Sequence, residues 1–115
     1  MRVHHIAVVT PNVATIAGFY RELLEVKECA RHHDDQGLRS VWLDLDGVIL
    51  MVERGQLGQG GWHMLSLAIS PDRRAHWIAR LRARDAGPTS ETGFTLYGKD
   101  PDGNPFGLSH YPEPV

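Results

Sequence analysis

The sequence predicts an α+β fold of two β-α-β-β-β modules, and three observations carry that prediction. Each half opens on a short apolar strand pattern, continues into an amphipathic helix and ends in further short strands. The order of elements in residues 62–115 repeats that of residues 1–54 at an offset of roughly 58–60 residues. Between the halves lies GQLGQGG, residues 55–61, whose four glycines in seven residues make it a connector. With 115 residues in all, the two modules are expected to share one domain, 1–115.

Each element has its own warrant. Residues 3–10, VHHIAVVT, are β-branched and apolar and stop at the turn signal Pro11-Asn12, so a strand is expected there, then a helix capped by Asn12. From Val13 to Val26, the residues Ile16, Phe19, Tyr20, Leu23 and Leu24 recur at helical spacing and mark one face for burial. Residues 26–33, 38–45 and 48–53 read as three antiparallel strands, with Asp46-Gly47 as a hairpin turn. In the second half, residues 62–70, WHMLSLAIS, form the opening strand. Pro71-Asp72 then starts a helix with Trp77, Ile78 and Leu81 on one face, and Asp85-Ala86-Gly87-Pro88 stops it. Strands are expected at 89–91, 94–98 and 105–111, with DPDGNP turning between the last two. This second copy is trimmed between Gly87 and Phe94.

Composition narrows the function classes. Hydrophobic residues make up 42% and charged residues 23%, as in ordinary globular proteins, which excludes a disordered or fibrous chain. The longest apolar runs, such as Val48 to Val52, fall far short of the roughly 20 residues of a membrane span. The N-terminal MRVHHIAVV enters a strand pattern without a signal-peptide h-region, so the expected location is cytoplasmic. Twelve Lys+Arg against fourteen Asp+Glu give a net charge of −2, which argues against a nucleic-acid partner despite Arg73, Arg74, Arg80, Arg82 and Arg84. The one cysteine, Cys29, forms no intrachain disulfide, and the seven histidines raise the question of a metal.

Three segments in this order, HIAVVTPNVATIAGFYRELL (5–24), HMLSLAISPD (63–72) and LYGKDPDGNPFGL (96–108), carry a family resemblance. The sequence resembles the vicinal oxygen chelate superfamily, which includes glyoxalase I, bleomycin-resistance proteins, fosfomycin-resistance enzymes and extradiol dioxygenases. The resemblance implies paired modules whose curled mixed sheets surround a cleft, the glyoxalase/bleomycin-resistance/dioxygenase fold. It also implies a homodimer and, in metal-using members, four cleft positions typically filled by two His and two Glu. A divalent ion held there chelates two neighbouring substrate oxygens and stabilises developing negative charge.

Carried over residue by residue, those positions are mostly without ligands. His5 matches the first, and alternation directs His5, Ala7 and Val9 to the cleft while Ile6 and Val8 face the helix. The second falls on Leu50, with Glu53 three residues on and so on the opposite face. The third falls on His63 or Met64. Phase favours Met64, because Leu65, Leu67 and Ile69 form the apolar set and His63 shares their side. The fourth is Gly107. No metal cofactor is therefore favoured; a divalent metal, if held, would have His5 and His63.

Other residues weigh less or differently. His32-His33-Asp34-Asp35 reads as a solvated loop, His4 and His76 as surface or partly packed residues, and His110 as facing away from the cleft. The Arg-rich second helix reads as an ordinary exposed helix. Trp42 and Trp62 are expected to give the cleft aromatic walls, although packing is the commoner role of a single Trp. With Leu50, Met64, Tyr97 and Gly107 they would form an apolar cleft that His5 enters, and Gly98 and Gly107 would enlarge it. The expected function is glyoxalase-like binding of a small, partly aromatic molecule in the bleomycin-resistance manner, without the usual metal. The alternatives are a metal-dependent lyase, isomerase, transferase or dioxygenase of the glyoxalase type, and a protein whose vestigial cleft leaves partner binding as its role.

Overall fold

The computed structural model describes residues 1–56 and 64–115 and divides into two compact units, residues 1–60 and 61–115. The first unit runs β1 (His5–Thr10), α1 (Val13–Leu24), β2 (Lys27–Asp34), β3 (Gly37–Leu45) and β4 (Val48–Arg54). The second runs β5 (Leu65–Ala68), a single 3-10 turn (Pro71–Arg73), α2 (Arg74–Ala83), β6 (Ser90–Glu91), β7 (Thr95–Lys99) and β8 (Pro105–Ser109). Each unit holds one four-stranded mixed sheet, ordered β1-β4-β3-β2 and β5-β8-β7-β6. The first strand of each module pairs parallel with the last, and the remaining pairs are antiparallel. The α+β class and the element order expected from the sequence are those observed.

In the first unit the amphipathic pattern of α1 buries Ile16, Ala17, Tyr20 and Leu23. On the same side, the sheet buries Val41, Leu43, Leu50 and Val52. The helix starts differently from the sequence expectation: Asn12 makes no side-chain capping bond, and its backbone N–H instead donates to Thr10 Oγ1 at 2.9 Å. Glu25, in the left-handed region at φ 59°, closes the helix by donating its N–H to the Arg21 carbonyl. Asp46 and Gly47 both take positive φ (57° and 97°), as a two-residue hairpin turn matched to strand twist requires. That turn fixes the register Leu45↔Val48, Leu43↔Leu50 and Trp42↔Met51.

The second unit buries Leu81, Ala86, Leu96, Phe106 and Leu108. Its DPDGN turn is built around Asp100, 4% exposed, whose carboxylate accepts from Asp102 N, Asn104 N and Asn104 Nδ2 at 2.9–3.0 Å. A carboxylate in its charged form satisfies those three donors at once, which makes the motif a structural turn. His110 faces away from the open side of its sheet and is 3% exposed. Its Nδ1 lies 2.5 Å from the Glu113 carbonyl and its Nε2 2.9 Å from Arg74 Nη1. A guanidinium only donates and a carbonyl only accepts, so Nε2 is placed to accept from Arg74 and Nδ1 to donate to the Glu113 carbonyl.

Candidate functional site

Each sheet has one face packed on apolar residues and one open face, and each open face carries candidate residues of its own unit. On the first sheet, the register places His5, Ala7 and Val9 of β1 beside Ile49, Met51 and Glu53 of β4. Trp42 of β3 sits opposite Met51, and Ala30 of β2 opposite Trp42. The open face is thus three rows running across the strands. Its middle row, Ala7, Met51, Trp42 and Ala30, is apolar. One flanking row holds Val9, Glu53, Ser40 and His32, and the other holds His5, Ile49, Asp44 and Lys27.

The placement of Leu50 is a correction. It is fully buried on the α1 side, opposite Leu43 and beside Ile6, and lines no open face. Met51 takes the place expected for it, and Glu53 joins the face of His5. Glu53 is nonetheless four residues along β4 from Ile49, the partner of His5, a separation of about 13 Å at the rise of a strand. A carboxylate and an imidazole that far apart cannot share one metal ion. What His5 does meet is His4, with the two Nδ1 atoms 2.9 Å apart and the rings edge-on at 5.2 Å.

On the second sheet the open face carries Ser66, Gly107, Tyr97 and Ser90 in one cross-strand row, with Thr95 and Ser109 in the next. A Cβ added to Gly107 would lie 3.2 Å from Ser66 Oγ, 3.4 Å from Thr95 Cγ2 and 3.7 Å from Met64 Cε, so Met64 reaches over this same face. Thr95 and Ser109 bond to each other through their hydroxyls at 2.9 Å. Gly98 does not enlarge the face. A Cβ there would meet the Ala86 carbonyl at 2.7 Å, Phe106 Cζ at 2.8 Å and Leu81 Cδ2 at 3.1 Å, which puts Gly98 against the buried side. Trp62 and His63 lie outside the described residues.

The donor set decides whether a divalent ion of the superfamily fits. Around His5 the nearest strand neighbours are Ala7, Ile49 and Met51. Among the described residues, no three His, Cys, Asp or Glu side chains converge on a common point. Hard divalent ions require several oxygen ligands, and these residues do not supply them. The two carboxyls whose pKa is pushed down are engaged elsewhere: Glu28 by hydrogen bonds from Arg31, and Asp34 by its bond from Arg54. Glu28 also lies 3.9 Å from Arg21 of α1, tying the helix to β2.

Sequence reasoning put His32 within the expected strand 26–33 but read the run 32–35 as solvated and so missed the Ser40–His32–Trp42 corner. His32 lies in β2, its Nδ1 is 3.1 Å from Ser40 Oγ, and its ring is 5.1 Å from that of Trp42. The Trp42 indole N–H is buried without an acceptor among the described residues.

Two open-faced mixed sheets of β-α-β-β-β origin define the vicinal oxygen chelate class of proteins. Residues 5–109 match the glyoxalase-like domain family, and the chain belongs to that family. No curated protein matches the sequence. Among solved structures, the fold is similar to a genomically encoded fosfomycin resistance protein of Listeria monocytogenes, complexed with Mn(II) and 1S,2S-dihydroxypropylphosphonic acid. The TM-score is 0.84 at 16% identity, covering 95% of this chain and 91% of that one. A fosfomycin resistance protein of Mesorhizobium loti gives 0.81 at 10% identity, covering 95% and 90%. A lactoylglutathione lyase of Agrobacterium tumefaciens gives 0.69 at 13% identity, covering 94% and 92%. At these identities the likeness is one of fold. No helix among the described residues is long and apolar enough to cross a membrane.

Proposed function

We propose that this chain binds a small, partly aromatic, neutral molecule on its open sheet faces without a resident divalent cation. One observation carries the reading: the strand positions flanking His5 hold Ala7, Ile49 and Met51, where a metal-holding site needs carboxylates. The same side chains suit a flat apolar ligand, with Met51 adaptable in shape and Trp42 a broad aromatic surface. In the second unit Met64, Tyr97 and Gly107 are the corresponding contacts, and His5 supplies a hydrogen bond at the rim of the first. The reading includes a homodimer, which would cover exposed apolar residues such as Val3 and Tyr111, and a cytoplasmic location.

The probe for this reading is 2-naphthol, a neutral bicyclic arene, titrated by equilibrium dialysis with and without EDTA. Saturable binding that chelator leaves unchanged supports it. His5→Ala should weaken that binding by about 0.5–1.5 kcal/mol, the usual net worth of one hydrogen bond. Stoichiometric metal in protein purified without added ions, together with loss of binding in EDTA, would overturn it. That result would favour the second reading, a metal-dependent enzyme of the glyoxalase type. Its support is the convergence of the His4 and His5 imidazoles, since a borderline transition metal accepts nitrogen ligands that hard ions refuse.

A further inference from the structure

We infer that His32, held by Ser40, is a specificity-determining residue that selects ligands carrying a hydrogen-bonding group at one edge of their aromatic ring. The inference rests on the binding role proposed for the open face of the first sheet and names the chemistry that face would prefer. His32 is half-buried and shares that face with Trp42, one strand over and two residues along. Side chains so related stand about 7–8 Å apart at their bases, within the span of a bicyclic arene. A ring lying on Trp42 therefore brings its edge to His32.

The imidazole is prepared for that contact. Its Nδ1 is engaged by Ser40 Oγ at 3.1 Å, and Ser40 is itself only 2% exposed, so the ring's orientation is fixed from a buried position. Packing on Trp42 at 5.1 Å constrains the other rotation. Nε2 has no hydrogen-bond partner among the described residues and is left for a ligand. Whichever tautomer Ser40 selects, Nε2 either donates or accepts, and a phenolic hydroxyl can answer both. Charge argues for a neutral group. Glu53 stands across from Ser40, and the lysine of this face, Lys27, lies at the opposite end of β2 from His32. An anionic group there would meet the Glu53 carboxylate, a like charge.

The experiment compares 2-naphthol with naphthalene, which has the same ring surface and no hydroxyl, by equilibrium dialysis at neutral pH. Wild type should bind 2-naphthol about fivefold more tightly, the factor one net hydrogen bond supplies. His32→Phe keeps the aromatic contact with Trp42 and removes both nitrogens. It should erase the preference, so that the two probes bind with equal affinity. Ser40→Ala, a smaller change at a buried site, should reduce the preference by freeing the imidazole. A circular dichroism spectrum matching wild type checks that each variant is folded. If both probes bind and the preference is absent in wild type, or survives in folded His32→Phe, the role given to His32 is overturned alone. If neither probe binds wild type, the binding role of the face falls, and this inference with it.

Discussion

Replacing Gly98 by alanine separates a packing glycine from a ligand-facing one. The new methyl group would sit 2.7 Å from the Ala86 carbonyl and 2.8 Å from Phe106 Cζ, both closer than carbon atoms normally approach. Phe106 is fully buried and cannot swing aside, and the Ala86 carbonyl already accepts the Lys99 N–H at 3.0 Å. Relief therefore has to come from shifting β7 against the segment that ends α2. Overpacking of this kind costs about 1–3 kcal/mol, and the involvement of backbone places Gly98→Ala toward the upper end. Alanine recovers roughly 0.4–1 kcal/mol by restricting the unfolded chain, leaving a net loss of about 2 kcal/mol. In a domain of this size each kcal/mol lowers the melting temperature by roughly 4–8 °C, so a fall of about 10 °C is expected. Thermal unfolding followed by circular dichroism measures it. At temperatures where the variant is folded, its 2-naphthol affinity should equal that of wild type. An unchanged melting temperature with weakened binding would refute the placement of Gly98 on the buried side.

Two further perturbations test the first unit. Leu50→Ala should cost about 2–5 kcal/mol, because it empties a fully buried site beneath α1, while Met51→Ala should weaken 2-naphthol binding with little change in stability; urea unfolding and dialysis on both variants would expose the reverse pattern if Leu50 lined the open face. Glu28→Gln should be less stable than wild type at pH 7 by the small margin of an exposed ion pair. The sign follows from the Arg31 hydrogen bonds, which hold the folded carboxyl below its ordinary value of 4.5: the stabilisation is present above that value and is lost as pH falls through the lowered one. Melting temperatures of the two proteins should therefore converge on going from pH 7 to strongly acidic solution, and a difference that persists or grows on acidification would contradict the ion-pair account.

Much of the fold was legible because its signals are local. The spacing of Ile16, Tyr20 and Leu23 yields α1, and Asp46-Gly47 yields its hairpin; most of the glycine-rich connector expected at 55–61 lies outside the described residues. The start of α1 was not legible, because the Asn12 side chain caps no helical N–H and Asn12 instead gives its own N–H to Thr10 Oγ1, a contact that leaves no sequence pattern. His32 escaped for a related reason. His32 fell inside the expected strand 26–33, but the polar run HHDD reads as solvated, and a pair of bulges in β2 disturbs the alternation that would have put its side chain on the face of Trp42.

The error at Leu50 is more instructive, since the correct answer lay within the sequence. A two-residue turn at Asp46-Gly47 pairs residue 45 with 48, and every later pair across that hairpin must also sum to 93. Trp42 then faces Met51, and Leu50 faces Leu43. Paired residues of an antiparallel ladder share a face, so Trp42 and Leu50 can never line the same cleft. Assigning one to the open side assigns the other to the helix. The same parity governs β7 and β8: Tyr97 opposes Gly107 and Gly98 opposes Phe106, so an open-facing Gly107 forces Gly98 inward. The family resemblance put Leu50 on the cleft side, and in a strand one residue is the difference between open face and core. Turn geometry, applied before the resemblance, fixes that phase, and it leaves Met51 and Trp42 as the pair on which the proposed binding face depends.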